Sequence, residues 1–333
     1  MRAMAAATLA LAAIPVAALA HLDDSGVNWS RIDLPAERAA IERYQSFDQR
    51  LQDVGWKMVR GNVRFCDRRI LSIGLQLQDL KSYGGPEVAR RALGLTGDFA
   101  VQTAARGSPA EETGLFAKNR EIARLDSFDP NEWVAGDRLY WQRLTLAHDH
   151  IDETLIQRGA ITIEFAGGES VKLAPVEVCA SRFELMGEGR KAVADGDRVV
   201  IGIDFPAFEY SEELFAAVVA HELAHNLLAH SNWLDRNGRN RRNTRMIERE
   251  ADRLMPWLMA NAGYDPQAAV QFFEELRPAS GSVLFIRGTH PSWRERVASV
   301  EAEIPLVSEL IARDGSADWR VHFEREIDPN QGL

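Results

Sequence analysis

Apolar residues recur along this chain at two different spacings, and the alternation between those spacings lays out its elements. From Ser211 to His230 no proline or glycine interrupts the chain, and Leu214, Phe215, Val218 and Val219 fall on one helical face. Ser211 is suited to cap that helix, and Glu212 and Glu213 suit the positive end of its dipole. A second helical pattern begins at Ile247 and runs through Leu254, Leu258 and Met259. Two more cover Ala36 to Lys57 and roughly residues 138–157. Elsewhere the period shortens to two. Val199, Ile201, Ile203 and Phe205 alternate with smaller or polar residues, as a half-buried strand should. Phe99 to Thr103 and Ile122 to Leu125 read as strands, and Ile161 to Phe165 and Val171 to Leu173 flank Gly167-Gly168 as a hairpin. Gly107-Ser108-Pro109-Ala110 opens a short helix that ends at Gly114-Leu115. Ser231 to Arg245, rich in Asn, Gly and Arg, predicts a flexible solvated loop.

The first 20 residues differ from everything after them: Arg2, then an apolar run, then Ala18-Leu19-Ala20 before polar sequence. This pattern predicts a secretory signal cleaved after Ala20, and hence an exported protein, periplasmic or secreted. An uncleaved anchor is the alternative. No other segment approaches about 18 consecutive apolar residues, so the mature chain is expected to carry no integral membrane segment. The composition is 46% hydrophobic, enough for a sizeable core, and the formal charge of −10 leaves no basic domain for nucleic acid. The two cysteines, Cys66 and Cys179, suit an oxidising compartment, where a bridge between them would tie together the two ends of the region they bracket. Two buried thiols are the other reading.

Candidate chemistry concentrates in His221-Glu222-Leu223-Ala224-His225. Positions four apart on a helix sit about 40° from one another, so His221 and His225 can share one metal ion while Glu222 polarises a bound water. Such a catalytic zinc takes three protein ligands, so one is missing. His230 is one residue too early for the H-E-x-x-H-x-x-G-x-x-H pattern and is expected to be a helix-surface or capping histidine. Glu248 and Asp252, four apart on the second helix, offer one carboxylate for the metal and another to orient a ligand, whereas Glu250 points about 200° away from Glu248. His148-Asp149-His150 is discounted as a metal site because helical residues two apart diverge.

V-V-A-H-E-L-A-H at 218–225, E-R-E-A-D at 248–252, A-G-Y-D-P at 262–266 and T-H-P-S-W-R-E-R at 289–296 together resemble the M48 family of zinc metallopeptidases. The resemblance implies an α+β fold, with a mainly helical zincin-type, gluzincin-like domain and a small edge sheet, acting on polypeptide substrates. It implies one Zn2+ ion held by His221, His225 and Glu248, Glu222 as general base, and Asp252 steadying a histidine ligand. His290 would stabilise the oxyanion or plug the site as a further ligand, with Arg296 following it. In that family the strand preceding the H-E-x-x-H helix, here 198–205, is the edge that pairs with substrate. V-Q-T-A-A-R-G-S-P-A-E-E-T-G-L at 101–115 resembles a PDZ domain, a β-rich module that would bind an extended peptide, but Asn119-Arg120 stands where that pattern carries Gly-Asp. The expected organisation is a signal at 1–20, a helical segment at 21–69, the PDZ-like domain at 70–178 and the peptidase domain at 179–333. The leading expectation is an endopeptidase acting on unfolded or mislocalised envelope proteins; the other is a peptide-binding adaptor with a plugged zinc site.

Overall fold

The computed structural model describes residues 26–136, 139–275 and 292–328. The expected signal at 1–20 lies outside them.

A long helix comes first. Asp33 accepts the amide of Ala36, Pro35 occupies the first turn, and α1 (Leu34–Gly61) follows for 28 residues. Its Leu51, Val54 and Met58 are buried in the main core, yet Gln45, Asp48 and Gln52 on the same helix are buried too. Gln52 donates to Asp48 and to the Phe183 carbonyl, while Gln45 and Asp48 find partners in the β-rich segment that α1 packs against. This segment comprises β1 (Arg69–Ser72), β2 (Leu75–Asp79), α2 (Pro86–Leu93), β3 (Phe99–Ala104), α3 (Pro109–Glu112), β4 (Ile122–Leu125), α4 (Gln142–Arg158), β5 (Ile161–Phe165), β6 (Ser170–Leu173) and β7 (Val176–Cys179).

The first and last of these strands pair antiparallel, Arg69 opposite Cys179, and a Cys66–Cys179 disulfide closes the same point with Cα atoms 5.5 Å apart. The chain therefore enters and leaves the segment at one place. Inside, Leu75, Leu77, Phe99, Val101, Ile122, Ile151, Leu155, Ile161, Ile163 and Phe165 form a core of their own. Asn119 has φ of 63°, a left-handed conformation that Asn tolerates better than most residues, so the departure from Gly is accommodated in the backbone. Its side-chain oxygen accepts from both Gln45 and Gln78, and Gln52 and Gln102 donate to Asp48, so this seam with α1 is polar and paired.

Beyond it come β8 (Arg182–Met186), β9 (Ala192–Ala194) and β10 (Arg198–Gly202). The predicted strand at 198–205 forms, but it is not an edge. β10 lies between β8, parallel to it, and β9, antiparallel to it. Buried Val199 and Ile201 gave the alternation, and alternation reports which face is buried, not which strands lie alongside.

The remaining helices are α5 (Glu212–Leu227), α6 (His230–Asn237), α7 (Arg241–Asn261), α8 (Gln267–Glu275), α9 (Trp293–Asp314) and α10 (Trp319–His322). Ser211 caps α5 through its hydroxyl, which accepts the Leu214 amide at 3.4 Å. α5 packs on α7, and α7 on α9, so the H-E-x-x-H helix lies directly against the helix that carries Glu248 and Asp252. The loop expected at Ser231 to Arg245 is instead mostly helix, with α6 and α7 separated by Gly238, Arg239 and Asn240. Trp233 and Leu234 are buried against Ile247 and Ile327, and that burial overrides the polar composition around them. No helix among the described residues is long and apolar enough to cross a membrane.

Candidate metal centre

Successive turns of α5 present His221 and His225, and α7 brings Glu248 across to them. The two Nε2 atoms are 3.2 Å apart. Glu248 Oε2 lies 3.3 Å from His221 Nε2, and Oε1 lies 3.7 Å from His225 Nε2. One ligand atom from each residue falls within 4.8 Å of the others. Two imidazole nitrogens facing each other at this distance would oppose their lone pairs unless a cation or proton lies between them. With a carboxylate completing the set, the donors suit zinc and leave a coordination position for water.

Glu222 follows His221 and is only partly buried. Burial, joined by the charge of Glu248 and opposed by His221, pushes its carboxyl up from 4.5 to about 7. Behind His221 stands Asp252, fully buried, with Oδ1 3.0 Å from His221 Nδ1. Arg296 grips both oxygens of Asp252, Nε to Oδ2 at 2.6 Å and Nη2 to Oδ1 at 2.5 Å. Burial works against the imidazolium of His221, but Asp252 and Glu248 outweigh it and raise its pKa to about 10. Burial lowers that of His225 to about 3.

His230 is neither on the surface nor a cap. It is 1% exposed, its Nδ1 lies 2.9 Å from His225 Nδ1, and its Nε2 lies 3.0 Å from Glu250 Oε2. The helical extrapolation from His221 failed because Ala229 adopts φ of 55°, ending α5 and turning α6 back toward it. Glu250 does point away from Glu248, into a buried site where Arg325 Nε and the amides of Glu326 and Ile327 donate to it. His230, Glu250 and Arg325 are thus the site residues that sequence reasoning missed. One signal was available. Glu250 falls in the apolar arc of α7 with Ile247, Leu254 and Leu258, and a charge placed there needs a buried partner.

The structure thus brings His221, Glu222, His225, Glu248, Asp252 and Arg296 into one cluster. His290 lies outside the described residues. His148 and His150 do not converge on a metal: His148 Nε2 accepts from the Leu77 amide at 3.4 Å and His150 faces the Leu125 carbonyl at 3.3 Å. A cavity of about 60 Å3, lined by Trp56, Leu75, His148, Ile151 and Arg182 among others, shares no residue with the His/Glu cluster.

No curated protein and no solved structure matches the chain. A family model does, over residues 234–304, and its family is peptidase family M48. The matched stretch contains Glu248, Asp252 and Arg296 and starts nine residues after His225. M48 peptidases are zinc metallopeptidases, and the match, falling on the helices that meet the H-E-x-x-H segment, supports an M48 family peptidase.

Proposed function

We propose that this chain is a zinc-dependent endopeptidase acting on extended, unfolded or mislocalised polypeptides of the cell envelope. The observation that carries the reading is the convergence of His221, His225 and Glu248 beside Glu222. A purely structural zinc site has no use for a carboxyl at that position. Export is supported by the apolar leader and by the disulfide, which belongs to an oxidising compartment.

His221, His225 and Glu248 would hold the ion, which when bound supplies Lewis-acid polarisation of a carbonyl and acidifies water. Glu222 accepts the proton of the attacking water and returns it to the leaving amine. A group that moves a proton both ways works best with a pKa near the working pH, and burial moves the Glu222 carboxyl upward, in that direction. Asp252, gripped by Arg296, keeps the His221 ring facing the cluster. The family resemblance gives His290 one of two roles, stabilising the oxyanion or plugging the site as a further ligand, and the proposed enzyme uses the first.

Substrate would add as a strand to an edge of the small sheet, with main-chain pairing reading extension and not side-chain identity. With β10 internal, β9 takes that part. It is an outer strand of the order β8-β10-β9, its Val193 is exposed, and it packs on α5. Asn226, next to His225, ties this sheet to the helix by accepting from Gly196 N at 2.8 Å and donating to Ser181 Oγ at 3.0 Å. The segment from β1 to β7 is the PDZ-like part of the proposal, and β6, outermost in the order β4-β5-β6, offers it a peptide-binding edge.

The test is cleavage of an unfolded protein by the zinc-loaded chain, with and without chelator. Glu222→Gln should retain zinc and lose about 10²–10⁴-fold in turnover. Retained activity in that variant sinks the assignment, and stoichiometric zinc without any turnover in the wild type marks a peptide-binding adaptor instead.

A further inference from the structure

We propose that His230 is a positioning residue of the metal centre, one that fixes the tautomer of His225 so that Nε2 presents its lone pair to the ion. This inference rests on the zinc reading above and deepens it. Glu250 stands at the far end of a buried chain of contacts that leads to His225. Glu250 is 0% exposed and is surrounded by donors: Arg325 Nε at 3.0 Å from Oε2, the Ile327 amide at 2.9 Å from Oε1, and the Glu326 amide. A carboxylate so placed is an acceptor only. The nitrogen of His230 that faces it at 3.0 Å therefore carries the proton.

Arg325 already balances the charge of Glu250, so the buried His230 is neutral, and a neutral imidazole protonated on Nε2 has a bare Nδ1. That Nδ1 lies 2.9 Å from His225 Nδ1, a hydrogen-bond distance at which only one of the two nitrogens bears a proton. Since His230 has no proton to give there, His225 donates, and its Nε2 is left bare. The bare atom is the one facing His221 Nε2 at 3.2 Å and Glu248 Oε1 at 3.7 Å. Arg325 closes the arrangement by donating from Nη2 to the Leu228 carbonyl at 3.2 Å, just past the end of α5. Each histidine ligand is thus held from behind by a different device. A carboxylate faces His221 directly, whereas an imidazole–carboxylate relay anchored in the C-terminal segment reaches His225.

Zinc affinity, measured by competition with a chromophoric chelator, separates this role from simple packing. His230→Phe keeps the ring but removes both nitrogens. His230→Asn retains an acceptor close to the Nδ1 position. The wild type should bind one zinc, His230→Phe should bind it about 10–100-fold more weakly, and His230→Asn should recover most of that loss. With Co2+ in place of zinc, the visible spectrum should change in His230→Phe and return in His230→Asn. His230→Phe with wild-type affinity and spectrum, or His230→Asn as weak as His230→Phe, overturns the inference while leaving the zinc reading intact. A wild type that binds no zinc takes down both. Should His230→Phe fail to fold, the ring 15N resonances of the wild type decide: protons on His225 Nδ1 and His230 Nε2 are expected, and the reversed pair overturns the proposal.

Discussion

Asp252 sits between His221 and a buried arginine, and its two oxygens are shared between them. Burial favours its protonated form, yet the charge of Arg296 and the contact with His221 hold its pKa below 3.8. Two substitutions separate its functions. Asp252→Ala removes the buried carboxylate that Arg296 grips with two nitrogens and should cost about 3–5 kcal/mol, read as a lowered urea midpoint at unchanged m. Asp252→Asn keeps the volume and one acceptor, so it should fold, yet it lowers the basicity of His221 and should weaken zinc binding about 10–100-fold. Equal zinc affinity in Asp252→Asn and wild type would remove Asp252 from the centre. At this scale the sequence was legible where spacing on one helix suffices: His221 and His225 share a face of α5, and Glu248 and Asp252 share a face of α7. It was not legible across a helix break. Nothing in Leu228-Ala229-His230 announces a left-handed alanine, and that single torsion decides whether His230 faces solvent or His225.

Among the elements, the capped helix at Ser211 and the strands at Phe99, Ile122 and Ile161 were readable because periodicity and capping are local. Strand neighbours and the burial of α6 were not, because they depend on contacts distant in sequence. The same limit hid a buried ionic cluster joining β2, α2, α4 and the residue that precedes β3. Arg143 Nη2 donates to Asp79 Oδ1 at 2.5 Å and to Asp98 Oδ2 at 2.8 Å, and Arg90 pairs with Asp98. Burial favours the neutral form of Asp98, but Arg143 and Arg90 prevail and hold its pKa below 3.8. A carboxyl depressed on folding adds stability above its unfolded pKa, and that stability is lost as pH falls through the lower folded value. Asp98→Asn should therefore cost about 2 kcal/mol at pH 7. The difference from wild type should shrink once the pH is taken below about 4. A difference independent of pH in urea titrations would show that the pairing adds no net stability.

For the whole molecule, the main question is how a segment with its own core is kept in register with the helices that carry His221, His225 and Glu248. Two devices act at different points. The polar seam of Gln45, Asp48, Gln78, Gln102 and Asn119 fixes α1 against β2 and β3, since each of these groups is satisfied only in that arrangement. The Cys66–Cys179 bridge clamps the base, closing a sequence separation of 113 residues. In the chain-entropy account, a loop of about 100 residues closed by a disulfide gains about 4.7 kcal/mol, nearly all of it by restricting the unfolded chain. Paired β1 and β7 already hold the two ends together in the folded state, so removing the bridge should leave the native geometry largely unchanged. The double variant Cys66→Ala/Cys179→Ala should accordingly lose about 4 kcal/mol of stability in urea while its zinc affinity stays close to wild type. A loss under about 1 kcal/mol would mean that the unfolded chain keeps its ends together without the bridge. A collapse of zinc affinity in the folded double variant would mean that the clamp also shapes the metal centre, through α1 and the strand order β8-β10-β9 that leads into α5.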